Sequence, residues 1–187
     1  SDILDPSGLL KYMKIDPHIQ NDICEFITRL IDHVFTKDLE EIKDELFLSE
    51  LNVKSIKKND KALFITIPVV SGATIESIVR RSFRRNDTTV KKSPQLLFIQ
   101  ILRNSYDSTH QELKKDTTPI FIEESLSLTE YGGVFYKLVG IVQHIGSAKT
   151  GHYRVYLRDK EGWLLANDKS VKTVPTEEPF DSSLDEN

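Results

Sequence analysis

The clearest patterning lies in the last third of the chain. From Tyr136 to His144 (Y-K-L-V-G-I-V-Q-H) apolar and polar positions alternate as on a strand with one buried face, and His152 to Arg158 and Trp163 to Asn167 behave alike. A loop rich in Gly, Ser and Thr precedes His152, and Asp159-Lys160-Glu161-Gly162 turns the second run back into the third. The first third has the other periodicity. Ile19, Ile23, Phe26, Ile27, Leu30, Ile31 and Val34 recur at steps of three and four, which predicts a helix with Asp16 as N-cap and Pro17 at its first position. Its face is apolar enough for a core. Phe35 to Glu50 continues with acidic, helical composition, Lys57-Lys58-Asn59-Asp60 reads as a turn, and Leu63 to Pro68 as a strand. Thr74 opens a second helix with Ile75, Ile78, Val79 and Phe83 on one side, ending in Arg80, Arg81, Arg84 and Arg85, cations that suit a last turn. Asn86 to Ser93 is a polar loop, and Leu96 to Arg103 is so continuously apolar that burial on both faces is expected. A helical first half and a strand-dense second half predict an α+β fold.

Composition narrows the partners. A length of 187 residues with 39% hydrophobic and 29% charged positions suits one globular domain. The net charge of -4 argues against nucleic acid, whose phosphates select a basic footprint. No apolar run approaches the ~20 residues of a membrane span, and the start lacks a signal-peptide pattern, so no membrane partner is expected. The single cysteine leaves neither an internal disulfide nor a Cys-based zinc site. A reducing intracellular compartment, cytoplasm or nucleus, with no cofactor and no metal is therefore the expectation.

Candidate chemistry sits in the hairpin. If its turn is centred on Lys160 and Glu161, Arg154 faces Asn167 and His152 is a diagonal neighbour on the same face, within side-chain reach. A register shifted by one puts Asp168 on that face instead. Either arrangement sets an imidazole against an amide or carboxylate that fixes its tautomer, the base and orienter of a cysteine hydrolase. Spacing alone favours a chance juxtaposition of one His and one Asn on a hairpin surface.

A longer pattern adds to this. Tyr136, His144, Gly146, Gly151, His152, Tyr153, Trp163, Asn167 and Asp168 stand in the order of an aromatic-led strand, H-x-G, a short loop, G-H-Y, a strand, Trp and an N-D pair. This is similar to the histidine box of the ubiquitin-specific protease (USP) family of deubiquitinases. Gln20 to Asp32 (Q-N-D-I-C-E-F-I-T-R-L-I-D) resembles the family's Q-Q-D-A-x-E-F helix, and Leu96 to Arg103 its L-P-x-x-L-x-I-x-L-x-R-F strand, with Asn104 where Phe is usual. The likeness runs from Leu9 to Val174. It implies a papain-like cysteine-protease fold of the USP type: N-terminal helices within residues 1–50 packed on a mostly antiparallel palm sheet within 60–175, then an acidic flexible tail at 176–187. The expected palm strands are Leu63 to Pro68, Leu96 to Arg103, Pro119 to Ile122, Val134 to His144, Gly151 to Arg158 and Trp163 to Val171. The family's zinc-clamped fingers, inserted where Asn86 to Ser93 stands, are expected here in reduced, metal-free form. The resemblance further implies His152 as catalytic base with Asn167 or Asp168 as orienter. Gln20, Asp22, His144, Gly146, Gly151 and Tyr153 are implied to border the channel for the substrate tail, with ubiquitin or a ubiquitin-like protein, and other proteins, as partners.

The nucleophile departs from the pattern. The family's cysteine lies upstream of the Q-Q-D helix, and no cysteine precedes Gln20 here. Cys24 is expected two turns inside its helix, beside Asp22 and Glu25, whose charges raise a thiol pKa, and the family motif has a variable residue at its place. The expectation is a non-catalytic, protein-binding or scaffold domain. The alternative is the later part of an active deubiquitinase whose nucleophile comes from a missing upstream segment.

Overall fold

The computed structural model describes residues 7–16, 22–56 and 58–180. In chain order it forms α1 (Ser7–Tyr12), α2 (Ile23–Val34), α3 (Glu40–Phe47), β1 (Ser49–Val53), β2 (Lys58–Ala62), β3 (Phe64–Pro68) and α4 (Ile75–Arg85). There follow β4 (Thr88–Lys92), β5 (Phe98–Leu102), β6 (Asn104–Asp107), β7 (Glu112–Lys115), β8 (Ser125–Ser127), β9 (Phe135–Lys137), β10 (Gly140–Gly146), β11 (Gly151–Asp159), β12 (Gly162–Asn167) and β13 (Ser170–Val174). The last four make an antiparallel meander in the order β10-β11-β12-β13. A second antiparallel sheet has the order β2-β1-β4, β3 pairs β5 in parallel, and β6-β7 and β8-β9 are separate antiparallel pairs. This is the expected α+β architecture with mostly antiparallel strands.

Two apolar clusters hold it. Helix α4 supplies Ile75, Ile78, Val79 and Phe83 to the first, against Ile65 and Ile67 of β3, Ile120, Leu126, Leu128 and Tyr131. Its start is fixed by a capping box: Thr74 Oγ1 accepts from the Ser77 N–H at 3.2 Å while Ser77 Oγ accepts from the Thr74 N–H at 3.1 Å. The second cluster lies on one face of the meander, where Tyr156, Trp163, Leu165 and Val174 pack with Leu138, Ile141 and Phe180. Alternation places these on the face shared by His152, Arg154 and Asn167, so this small core lies beneath the candidate site.

Several expectations are corrected. Helix α2 begins at Ile23 with Asp22, not Asp16, as N-cap; Pro17 and Ile19 lie outside the described residues. Only Ile31 of its apolar face is buried, because that face borders an open cleft rather than a closed core. The helical character of Phe35 to Glu50 is confined to a 3-10 turn and α3, since Ser49 and Glu50 already pair in β1. Lys58, Asn59 and Asp60 are strand, not turn, and the polar stretch after Asn86 contains β4, both recruited by backbone pairing with β1. β5 is half-buried rather than enclosed, with one side on β3 and the other on the cleft. Pro119 to Ile122 forms no strand, only a single bridge from Phe121 to Thr74. Arg80 and Arg84, expected as last-turn cations, also pair with Glu130, at 2.7 and 3.0 Å. Of the expected tail, Pro179 is buried and Phe180 sets its edge against Trp163, because that ring otherwise borders solvent; residues 181–187 lie outside the described residues.

Candidate active site

The two-residue turn at Lys160 and Glu161 fixes the register of β11 on β12: Asp159 faces Gly162, Leu157 faces Leu164 and Val155 faces Ala166. His152 and Asn167 lie just beyond the last rung, on one face, and His152 Nε2 meets Asn167 Oδ1 at 2.5 Å. A carboxamide oxygen only accepts, so Nε2 donates in this contact, and in the neutral ring the lone pair is on Nδ1. Asp168 occupies the turn into β13 with a left-handed backbone (φ 50). Its carboxylate stands 4.0 Å from Nε2, beyond hydrogen-bond reach. The shifted register that would have presented Asp168 is therefore not the one adopted.

The remaining candidates gather on the opposite face of the same hairpin. His144 and Tyr153 are cross-strand partners with ring centroids 4.7 Å apart, and the His144 ring also lies over the Cα of Gly151. Gly146 and Gly151 form the final rung. The Asp22 carboxylate caps α2, Oδ1 accepting from the N–H groups of Cys24 at 2.8 Å and Glu25 at 3.1 Å. Burial, followed by this carboxylate, pushes the Tyr153 phenol up, with the Ile23 N–H opposing them. Burial and then the Lys115 ammonium hold His144 below the ordinary imidazole value, with Asp22 pulling the other way, so His144 is neutral at pH 7. Asp22, His144 and Tyr153 thus converge at one end of the cleft, and Gln20 lies outside the described residues. The cleft has a volume of about 1150 Å³ and is walled by the α2 N-terminus, β5 and the β10-β11 hairpin.

Cys24 is the second residue of α2, not two turns inside it, because the helix starts six residues later than Asp16 suggests. A helix N-terminus ordinarily favours a thiolate. Here burial, and after it the Asp22 charge, outweigh that effect and push the thiol up to about 11. Two contacts at the site carry no sequence signal. Lys115 donates to the backbone oxygens of His144 at 2.7 Å and Gly146 at 3.0 Å, and Arg154 Nε donates to Gln143 Oε1 at 2.5 Å. Lys115 is one of two lysines in a polar stretch, and nothing in that stretch says which strand it will reach. Among the described residues no three His, Cys, Asp or Glu side chains converge on a metal position, and no helix is long and apolar enough to cross a membrane.

Comparison with known proteins identifies the family and the fold. The family model described as ubiquitin carboxyl-terminal hydrolase matches residues 3–185. The chain is 28% identical over 159 residues to ubiquitin carboxyl-terminal hydrolase 2 of Saccharomyces cerevisiae, covering 77% of this chain and 12% of the yeast protein. It is 30% identical over 90 residues to ubiquitin carboxyl-terminal hydrolase 4 of Arabidopsis thaliana, covering 46% of this chain and 25% of that protein. Among solved structures, the yeast SAGA DUB module with a mutant Sgf73 superposes with a TM-score of 0.71 at 20% identity, over 85% of this chain and 46% of the matched chain. The SAGA Ubp8/Sgf11/Sus1/Sgf73 DUB module gives a TM-score of 0.67 at 19% identity, over 85% and 45%. The chain thus spans less than half the length of the relatives it matches. With the family model matching residues 3–185, the chain belongs to the ubiquitin carboxyl-terminal hydrolase family and has the fold of its ubiquitin-specific protease type.

Proposed function

We propose that this chain supplies the base-bearing half of a thiol hydrolase that cleaves after the C-terminal glycine of ubiquitin, with the nucleophilic thiolate coming from residues outside this sequence. The observation that carries the reading is the His152 to Asn167 contact, which leaves Nδ1 as a proton acceptor. In that role Nδ1 takes the thiol proton and the thiolate attacks the glycine carbonyl carbon. A C–S bond forms as the C–N bond breaks, and the imidazolium proton leaves with the amine. Water then attacks the thioester, gives its proton to Nδ1, and the thiol is restored as the carboxylate departs. Asn167 is the orienter in this scheme and Asp168 adds only a more distant negative charge. Asp22, His144, Gly146, Gly151 and Tyr153, with Gln20, are proposed to line the passage for the extended tail, where the paired glycines let backbone approach backbone.

A second reading rests on Cys24. The sole thiol of this sequence is pushed up to about 11, a poor nucleophile, which suits a domain that holds ubiquitin without cutting it. Both readings expect this chain alone to bind ubiquitin through its tail and to turn over no ubiquitin-tail reporter. NMR titration with ubiquitin, and with ubiquitin shortened at its C-terminus, tests the shared part: absence of tail-dependent shifts at His144 and Tyr153 would sink both. The two part company in the full natural protein, challenged with ubiquitin carrying a C-terminal electrophile. Covalent capture that falls about 10³-fold in His152→Ala supports the hydrolase. Binding without capture supports the non-cutting module.

A further inference from the structure

The ladder between β10 and β11 outruns the one between β11 and β12. Rungs of the latter end at Val155 and Ala166, whereas β10 and β11 stay paired to Gly146 and Gly151. His152 therefore sits on a two-stranded overhang, and the tilt of that overhang sets its distance from Asn167, which belongs to the four-stranded body. The loop at the overhang's tip has internal bonds of its own. Ser147 Oγ accepts from the N–H groups of Lys149 at 3.2 Å and Thr150 at 3.1 Å, bonds that close the loop on itself.

One cation reaches the overhang from elsewhere. Lys115 Nζ donates to the backbone oxygens of His144 and Gly146, the residues on either side of Ile145, and Ile145 is the cross-strand partner of His152. The ammonium thus straddles the His152 rung on the free edge of the sheet. Its own backbone is anchored: Lys115 pairs with Asn104 across β6-β7, and Arg103 exchanges bonds with the next turn, accepting from the Asp116 N–H at 2.7 Å and donating to the Asp116 and Thr118 oxygens at 3.0 and 2.9 Å. We infer that Lys115 is a positioning residue for His152, a charge-assisted brace that holds the overhang at the tilt where Nε2 meets Asn167. The inference rests on the proposed role of that pair.

The test reads the His152 ring directly, by 15N NMR of the intact chain at pH 8. The wild-type ring is expected almost wholly as the Nε2–H tautomer. Lys115→Met is expected to lower that tautomer preference by roughly tenfold, the low end of the scale for one lost charge-assisted hydrogen bond, and Lys115→Arg to restore it. Lys149→Met, which removes a charge from the same loop without touching the brace, is expected to leave the ring unchanged. Should Lys115→Met perturb folding, Lys115→Gln keeps a donor without the charge and is expected to fall between the two. If Lys115→Met leaves the tautomer as in wild type, or Lys149→Met moves it as far, the brace is overturned. Asn167→Ala separates the two layers. If it shifts the tautomer while Lys115→Met does not, only the brace fails; if it shifts nothing, the His152 to Asn167 pair itself is absent in solution and both fail.

Discussion

Gly151 has no room for a methyl group. A Cβ there would press into the His144 imidazole and the Ile145 backbone oxygen, and the neighbouring residue is His152. Gly151→Ala is therefore expected to cost about 1–3 kcal/mol, the range for overpacking a closed site, and to displace the His152 resonance. Urea unfolding with NMR of the ring checks both, and an unshifted ring would separate the glycine from the site. Cys24 makes the opposite kind of prediction, of inertness. With its thiol pushed up to about 11, a thiolate fraction of about 10⁻³ at pH 8 follows, so alkylation should be slow at pH 8 and speed up only as pH climbs toward 11. Mass spectrometry of iodoacetamide-treated protein over that range decides it, and rapid labelling at pH 8 would contradict it. The partner of His152 was legible only as one of two, Asn167 or Asp168, because a slip of one residue exchanges them and only the pairing of Val155 with Ala166 shows which register is adopted. The place of Cys24 within its helix was not legible, because Asp16-Pro17 reads as the helix start and only the structure shows that the Asp22 carboxylate accepts the amide hydrogens.

At the scale of elements, sequence pattern told most where one face of a segment is buried and least where backbone pairing alone decides. β11 and α4 each present apolar residues at the spacing of their element and form as expected, whereas the run expected from Val134 to His144 breaks at Leu138 and Val139 into β9, which pairs β8, and β10, which pairs β11. β2 (Lys58–Ala62), β4 (Thr88–Lys92) and β7 (Glu112–Lys115) are largely polar, so their strand state follows from the neighbour that pairs them and no periodicity announces it. The β6-β7 hairpin is held at its tip by charge. Asp107 accepts from the Lys114 ammonium at 2.7 Å, His110 Nδ1 at 2.9 Å and the Thr109 N–H at 2.9 Å. Lys114 first, and His110 after it, lower its carboxyl to about 2. A lowered carboxylate stabilises the hairpin above its ordinary value of 3.8 and loses that contribution as pH falls through about 2. The Thr109 and His110 amide resonances should accordingly titrate with a midpoint near 2, and a midpoint near the ordinary value would mean that the cluster does not form in solution. Helix α2 depends likewise on its cap: Asp22→Ala removes the acceptor of two amide hydrogens and should cost about 1 kcal/mol, seen as fraying of Ile23 to Glu25 in hydrogen exchange.

For the whole molecule, the division into two apolar clusters matters more than the number of sheets. The α4 cluster carries the larger share of burial, whereas the small cluster around Trp163 lies under the face that bears His152 and Asn167. Stability and site geometry are then separable. Val79, wholly buried in the first cluster, should cost about 2 kcal/mol when cut to Ala, yet leave the His152 ring signature as it was. Phe180, itself only partly buried, stands edge-on to Trp163, so Phe180→Ala should cost less, about 1 kcal/mol. It loosens the sheet beneath Asn167, however, and should broaden or shift the His152 ring. Urea unfolding paired with 15N NMR gives both readings on each variant. The opposite ranking, in which Val79→Ala moves the ring and Phe180→Ala does not, would mean that the site is tied through the cleft to the helical half and not to the meander that carries it.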